Sequence, residues 1–552
     1  MGVYRTVISL LLGGVLWQPA VALQMAWQRK GQQTLWQLGG NQPQSAPLPP
    51  GLQTPLGSVW KLFVYGYMVE QNLAGSDYVC QGGNPEEVYC CQPGHSVDRE
   101  RALLQSCGLY FEPRRLKIAA ADWRRFWQAR QAPGWLQDLP QLKPERQVAV
   151  SQLLQGLAQF PPQARQQAGH TLVSVLTQGK AEGSVALLGS QLRVKTWTMP
   201  DPSHPGERQG GAAGWLADGS PVWLQGRGGS AQVLPQLSPK LVPLLQPVTV
   251  ADTEACVRVR YFARYPIQSV TRSDGRVVVP GVMEGQYQVR FRNGVSLALS
   301  SQGELWLQQT VAGWQVNGRL GMNEYVARVL EREGRSEPPE AARALAIAAR
   351  SYVVQQGARE QGCFSMQDSS SQQRVAPRPA SKAARAIADW TDGLVLTGVP
   401  VQYHSTRQAR HQLAWAWAVS AAQRGMTFDR MLQQTYPGSS LVSYLSPLDG
   451  DCDRLPQVER WLEQQLPVWQ RRLQHEEGLE ALEQAPAVCR LPGGKPYADV
   501  ERGRIHVRGL ATDEDRITVA HETLHLLFRH HPRGQDEDFV EQTARRLIQQ
   551  GG

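Results

Sequence analysis

His521, Glu522 and His525 fall within the run His521-Glu522-Thr523-Leu524-His525, near the end of a chain of 552 residues. On an α-helix the two histidines, four apart, share a face and can grip one Zn2+. A Zn2+ held there lowers the pKa of a bound water towards neutrality, and Glu522 stands beside it to take the proton. Ile517, Val519, Leu524, Leu526, Leu527 and Phe528 give this helix a buried body, and Asp513 to Asp515 suit its first turn. His530 to Gly534 break it. Asp536-Glu537-Asp538 then open a second helix with Phe539, Val540, Ala544, Leu547 and Ile548 as its apolar stripe. Glu541 on this second helix is the expected third ligand, with His530 or His531 as the alternative.

A second constellation lies at the other end. Ser58 and Lys61 are one helical turn apart at the head of the apolar run Leu62 to Val69, which reads as a buried helix. A desolvated lysine can have its pKa lowered enough to serve as base for a serine nucleophile. Ser106 follows in Ser106-Cys107-Gly108, then Lys195-Thr196-Trp197 inside the alternating stretch Ala186 to Thr198. A hairpin from Gly214 to Trp223 turns at Asp218-Gly219. This ordered set resembles penicillin-binding transpeptidases and serine β-lactamases, and its intervals suit the class D enzymes. The resemblance implies Ser58 as nucleophile, Lys61 as base, Ser106 as proton-relay hydroxyl and Lys195-Thr196 as the strand that binds the substrate carboxylate. Two residues depart from the family pattern. Trp197 stands where glycine is usual, and Gly108 replaces an asparagine, so a binding version of the domain and an active one both remain open.

Between these ends the chain first reads as short strands, at Val257–Tyr261, Tyr287–Phe291 and Leu305–Leu307. A tightly packed alanine-rich helix follows over Glu340–Tyr352. The stretch Asn323 to Glu333, that helix, Asp368 to Val375, Asp392 to Leu396 and Tyr403-His404-Ser405 resemble the SpoIID/LytB domain of peptidoglycan lytic transglycosylases. By that resemblance Glu333 is the acid/base, with Glu331 and Glu337 near enough to compete. A buried glutamate with a raised pKa can protonate a glycosidic oxygen. The usual Glu-Met-Pro is here Glu333-Gly334-Arg335. Only Cys363 remains of the Cys/His metal site that some members carry, so no zinc is expected in this domain. At the far end, Val540 to Ala544 resembles the Glu-x-x-Ala element of gluzincin metallopeptidases. Arg504 to Val507 would be their peptide-holding edge strand.

The elements that must position these residues need several domains at this length. Arg5, the apolar stretch Val7 to Leu16 and Ala20-Val21-Ala22 form a Sec-type secretory signal, and no later stretch is long and apolar enough to span a membrane. Eight cysteines in an exported chain read as disulfides, paired within the groups Cys80/Cys90/Cys91/Cys107, Cys256/Cys363 and Cys452/Cys489. The net charge of +9 is spread out and carries no nucleic-acid motif.

The expected fold is a multidomain α+β protein. It comprises a signal peptide (1–22), a serine transpeptidase/β-lactamase-like domain (23–248), a mixed β/α SpoIID-like domain (249–445) and a small zincin-like α+β domain (446–552). Linkers are expected near Pro243–Ala251 and Pro437–Arg454. The secretory signal places the chain in the periplasm, and the SpoIID/LytB and transpeptidase resemblances imply peptidoglycan as partner. As a whole the chain resembles the secreted YfaQ-type proteins almost end to end, which implies a bacterial α2-macroglobulin as a further partner. Three functions compete: a peptidoglycan-cutting enzyme, a non-catalytic envelope scaffold, and a zinc protease anchored to the wall by its front domains.

Overall fold

The computed structural model describes residues 23–549 apart from 41, 74, 178–182, 203, 246–254, 275, 277, 361, 445–454, 483–484, 492–495 and 501–502. The expected signal segment and Cys452 lie outside the described residues. The chain is a mixed α/β, multidomain protein with two hydrophobic cores, one from Met25 to Tyr444 and one from Leu455 to Leu547.

In the amino-terminal part an antiparallel six-stranded sheet runs in the order Gln44–Pro47, Gln32–Gln37, Gln24–Arg29, Pro221–Arg227, Arg208–Leu216, Leu192–Pro200. The helix Trp60–Glu70 is apolar all round and buried from Trp60 to Val69, as the sequence predicts, because it is central rather than peripheral. It packs on the helix Pro162–Thr177, which covers the strand Leu192–Pro200. The hairpin at Asp218-Gly219 is present, with Gly219 at φ +81°. The alternating stretch expected from Ala186 is shorter than predicted. Val185–Leu188 is a helical turn, Gly189 reverses the chain at φ +54°, and the strand begins at Leu192.

A seven-stranded sheet follows, ordered Ile267–Arg272, Gly281–Phe291, Ser296–Thr310, Gly313–Gly321, Cys256–Tyr261, Cys363–Gln367, Ala358–Glu360. Only the pair Cys256–Tyr261 and Cys363–Gln367 is parallel. The helices Met322–Glu333, Pro339–Gln356 and Lys382–Trp390 pack together beside this sheet. Small residues at Ala341, Ala342, Ala344, Ala346, Ala348 and Ala349 are buried and permit that close approach. In the carboxy-terminal part the strand Arg504–Val507 lies between Ala487–Arg490 and Tyr497–Asp499. The sequence expectation that Arg504–Val507 is an edge is therefore corrected: both its sides are already hydrogen-bonded, and among the described residues Ala487–Arg490 and Tyr497–Asp499 are the outer strands. The helix Asp513–Leu527 starts at a Thr512/Asp515 capping box.

Cys80–Cys91, Cys90–Cys107 and Cys256–Cys363 are disulfides, and Cys489 is also disulfide-bonded. Both expected linkers need revision where they are described. Pro243 lies inside the helix Ser230–Leu245, where Pro235, Pro239 and Pro243 recur every four residues while Val233, Leu234, Leu237 and Leu241 supply the packing. Residues 440–443 form a strand paired with Leu394–Thr397.

The first two expected domains share one core, and a polar seam runs through it. Ser190 N donates to Trp390 O at 3.0 Å, Gln191 Nε2 donates to Asp389 O at 2.9 Å, and Arg193 forms an ion pair with Asp392. A Cβ on Gly189 would lie 2.1 Å from Trp390 O, so the approach requires glycine. Behind the seam Asn323 Nδ2 donates to Asp392 Oδ1 at 2.8 Å. The fully buried Arg350 donates to Asn323 Oδ1, Ala388 O, Thr391 O and Leu394 O. Burial alone would raise the Asp392 carboxyl, but Arg193 and Arg350 hold it below the usual carboxylate range. Replacing Arg350 by leucine strands several buried acceptors and is expected to cost about 3–5 kcal/mol in denaturant unfolding of the front core. The Asp392 contribution is present above its unfolded pKa, about 3.9, and is lost as pH falls through the lower folded value. Asp392→Asn should accordingly flatten the acid limb of the unfolding profile.

Candidate functional site

Three of the predicted serine-site residues come together. Lys61 Nζ donates to Ser58 Oγ at 3.2 Å, to Ser106 Oγ at 3.1 Å and to Ser106 O at 2.6 Å. Ser58 sits on a 3-10 turn feeding the helix that carries Lys61, so one turn of chain fixes their spacing. Ser106 caps the helix Arg99–Gln105 in the left-handed region at φ +73°, a conformation disfavoured for serine and pinned here by the neighbouring Cys90–Cys107 disulfide. Lys195 and Thr196 are buried on the strand that packs against the Ser58 turn, and the Lys195 ammonium donates to Thr196 O at 3.5 Å. Trp197 is seated in the core against Gly57 and Gly211, where a Cβ would lie within 2.5 and 2.6 Å of it. At Gly108 a Cβ would stand 3.8 Å from both Lys61 Nζ and Glu86 Oε2. Glu86 thus brings a carboxylate to the position of the family's asparagine, and no motif in the sequence singled it out.

Glu333 ends the helix Met322–Glu333, and its Oε1 accepts from Arg374 N at 2.8 Å. Burial pushes its carboxyl above the ordinary value, against the pull of that amide and of the Arg374 and Arg332 charges. The competitors are placed otherwise. Glu331 Oε1 accepts from Ser381 N at 2.7 Å, at the start of the helix Lys382–Trp390, and Glu337 is exposed. A Cβ on Gly334 would sit 2.5 Å from Leu345 Cδ2 and 3.1 Å from Trp415, so the departure from the family's methionine follows from close packing. Asp368, which sequence reading did not single out, is also raised by burial and accepts from Val375 N at 3.0 Å. Glu333 and Asp368 therefore hold adjacent backbone amides of one loop. The buried Tyr403 hydroxyl is raised by its burial and then by the Glu333 charge, and lowered by the Gln373 side chain beside it.

On the helix Asp513–Leu527 the two predicted histidines face one cleft of about 460 Å3, lined also by Glu522, Glu537, Glu541, Tyr497, Ala498 and, from the middle part, Gly357 and Ala358. His525 Nδ1 donates to Gly534 O at 2.7 Å and His521 Nδ1 donates to Glu541 Oε2 at 3.1 Å. Both imidazoles thus spend Nδ1–H on an acceptor and turn Nε2 to Glu537, at 3.2 Å from His521 and 3.8 Å from His525. His521, His525 and Glu537 each offer a ligand atom within 4.8 Å of the others, a set suited to a three-ligand catalytic Zn2+ with an open position. The expected third ligand, Glu541, stands on the other side of His521 with its Oε1 taken by Arg545 Nε at 2.7 Å. Glu541 has the geometry of an orienting partner. His530 binds Glu480 and the His531 side chain accepts from Arg533 N, so neither joins the cluster. Burial pushes Glu522 up to about 8, opposed by His521 and an amide of the edge strand at Ala498.

No helix among the described residues is long and apolar enough to cross a membrane. The family model described as stage II sporulation protein, SpoIID, matches residues 311–397. The model described as predicted secreted protein (DUF2300) matches residues 82–206 and 411–533, on either side of it. Solved structures similar to part of the chain include the C-terminal domain of the Bacillus licheniformis BlaR penicillin-receptor, 14% identical, covering 40% of this chain and 92% of that one at a TM-score of 0.28. A class D β-lactamase from Bacillus subtilis is 11% identical, covering 42% of this chain and 93% of that one at a TM-score of 0.26. Such low scores carry no weight on their own. The uncharacterized protein YfaQ of Escherichia coli (strain K12) is 42% identical over 502 residues, 91% of each chain. The chain therefore belongs to the family of secreted proteins that includes YfaQ.

Proposed function

We propose that this exported protein acts on peptidoglycan, cutting the glycan strand by lytic transglycosylation with Glu333 as the acid. The observation that carries the reading is the position of Glu333: the SpoIID match contains the helix Met322–Glu333, whose last residue is a partly desolvated carboxyl with a raised pKa. A protonated Glu333 gives its proton to the glycosidic oxygen as the C1–O bond breaks. The muramyl C6 hydroxyl closes on C1 and returns its proton to the carboxylate, leaving a 1,6-anhydro sugar without using water. Tyr403, a buried hydroxyl close enough to feel the Glu333 charge, can donate to Glu333 during this exchange.

A second reading concerns the carboxy-terminal cleft and rests on the His521, His525 and Glu537 cluster. A bound Zn2+ would supply an activated water to a hydrolase there. Glu522 is the base beside it, and Glu541 and the Gly534 carbonyl fix the imidazole orientations. The Ser58, Lys61 and Ser106 triad supports either acylation by a wall peptide or its simple binding.

Digestion of purified sacculi should release anhydro-muropeptides by mass spectrometry, and Glu333→Gln should abolish them; an unchanged profile would refute the lyase reading. Because the acid must be protonated, turnover should fall as pH rises through the raised Glu333 value, at a pH above the ordinary glutamate value of about 4.3. Zinc measured by plasma mass spectrometry should approach one per chain, vanish in His521→Ala and Glu537→Gln, and persist in Glu541→Gln with affinity weakened about 10–100-fold. Full retention of zinc in Glu537→Gln would remove Glu537 from the ligand set. A fluorescent penicillin should label the wild type more than Ser58→Ala; equal labelling would leave Ser58 without an acyl-enzyme role.

A further inference from the structure

Beside Glu333, three loops at one end of the seven-stranded sheet and the end of the helix Met322–Glu333 enclose a cavity of about 370 Å3. Arg264, Arg332 and Arg374 all line it, and none of the three makes an ion pair among the described residues. Three arginines set against the one carboxylate that lines the cavity, Asp368, leave it net positive and suited to an anion, and a guanidinium's planar fork matches a carboxylate. The opposite wall is aromatic. Phe262 packs edge-on to Phe291 at 5.1 Å between ring centroids, and Tyr265 lies 6.1 Å from Phe291 and is exposed. Phe262 holds the left-handed region at φ +57°, an outlier for a bulky residue and typical of ligand-facing positions.

Asp368 ties this wall together. Its two oxygens accept from Val375 N at 3.0 Å and from Phe262 N at 3.5 Å, and it also feels the charges of Arg332 and Arg374, so one carboxylate offsets part of the three arginines' charge. Glu333 holds the next amide, that of Arg374. The segment 374–375 therefore offers its amides to the two carboxylates and its side chains to the cavity, one residue away from the proposed acid. A ligand for this site brings negative charge for the arginines, an apolar face for the rings and N–H or O–H donors for Asp368 and Ser369.

We propose that this cavity binds the carboxylate-bearing substituent of a muramyl residue and thereby selects charged wall glycan over neutral polysaccharide. The inference rests on the glycan-cutting reading of Glu333. The carboxylate can come from the stem peptide or, where the stem has been removed, from the lactyl ether of the sugar.

The test is calorimetric titration of the whole exported chain carrying Glu333→Gln, which blocks turnover while binding is measured. The probes are stem-bearing muropeptide oligomers, the same oligomers stripped by an amidase, and neutral chitooligosaccharides of equal length. Either carboxylated oligomer should bind at least about tenfold more tightly than the neutral one, and the tighter of the two names the carboxylate. Arg264→Gln with Arg374→Gln should remove that preference while leaving thermal unfolding unmoved, since both side chains are exposed. If the double variant fails to fold, salt decides on the parent: affinity for the charged oligomer should fall several-fold between roughly 50 and 300 mM, and affinity for the neutral one should not. Equal binding of charged and neutral oligomers, or no binding of either, would overturn the site. Selective binding without anhydro products from the wild type would instead sink the lyase reading and leave the anion site standing.

Discussion

The buried guanidinium of Arg350 is the interaction on which both front sites depend. It lies on the helix Pro339–Gln356 and donates to groups on the helix Met322–Glu333, on the helix Lys382–Trp390 and on the turn after it. A fully buried charge is tolerated only when its donors are used and an opposite charge is near. Here the counter-charge is Asp392, which Asn323 joins to the network and which also pairs with Arg193 on the strand of Lys195. One polar cluster therefore sets the position of the helix that ends in Glu333 and of the strand that flanks Ser58. The tight glycine contact of Gly189 with Trp390 makes the same seam rigid by shape as well as by charge.

Across the candidate sites, reactive side chains are aimed by backbone groups more than by one another. Lys61 is anchored on the carbonyl of Ser106, and only then reaches the two hydroxyls. Glu333 and Asp368 are each fixed on an amide of one loop. His525 is turned by the carbonyl of Gly534. Backbone acceptors and donors cannot rotate away, so a desolvated side chain bound to them loses little further freedom when it reacts.

Much of this was legible because it is local. Ser58 with Lys61, and His521 with His525, share a helical face at fixed spacing, and the apolar runs around them announce burial. The choice between Glu537 and Glu541 was not legible. They too are four apart on one helix face, and which carboxylate meets Nε2 depends on how two helices approach. The pair Arg193–Asp392 joins positions 199 residues apart, and nothing in either neighbourhood distinguishes it from a surface charge. Strand order was equally hidden: Arg504–Val507 is buried throughout, which an edge and a centre can both satisfy. The arginine-lined cavity gathers residues from four separate segments that are far apart in the sequence, and nothing local to any one of them marks the others.

The helix Pro339–Gln356 also links the third site to the other two. Its Leu345 packs on Gly334 next to Glu333, its Arg350 carries the polar cluster, and the Gly357 and Ala358 that follow it line the histidine cleft. Eighteen residues span about 27 Å, enough to pass from one candidate site to the other as a single rigid rod. Gly357 and Ala358 are the smallest side chains available for that wall. A Cβ on Gly357 would stand 2.7 Å from Val353 O and 3.2 Å from Phe364, so the chain can turn there only with glycine. The Cys256–Cys363 disulfide clamps the hairpin that follows to the first strand of the sheet. The width of the histidine cleft is thereby set by a wall the carboxy-terminal core does not itself own. A peptide lying along Tyr497–Asp499 would have to pass between the two cores, which ties what the cleft can admit to the domain carrying Glu333.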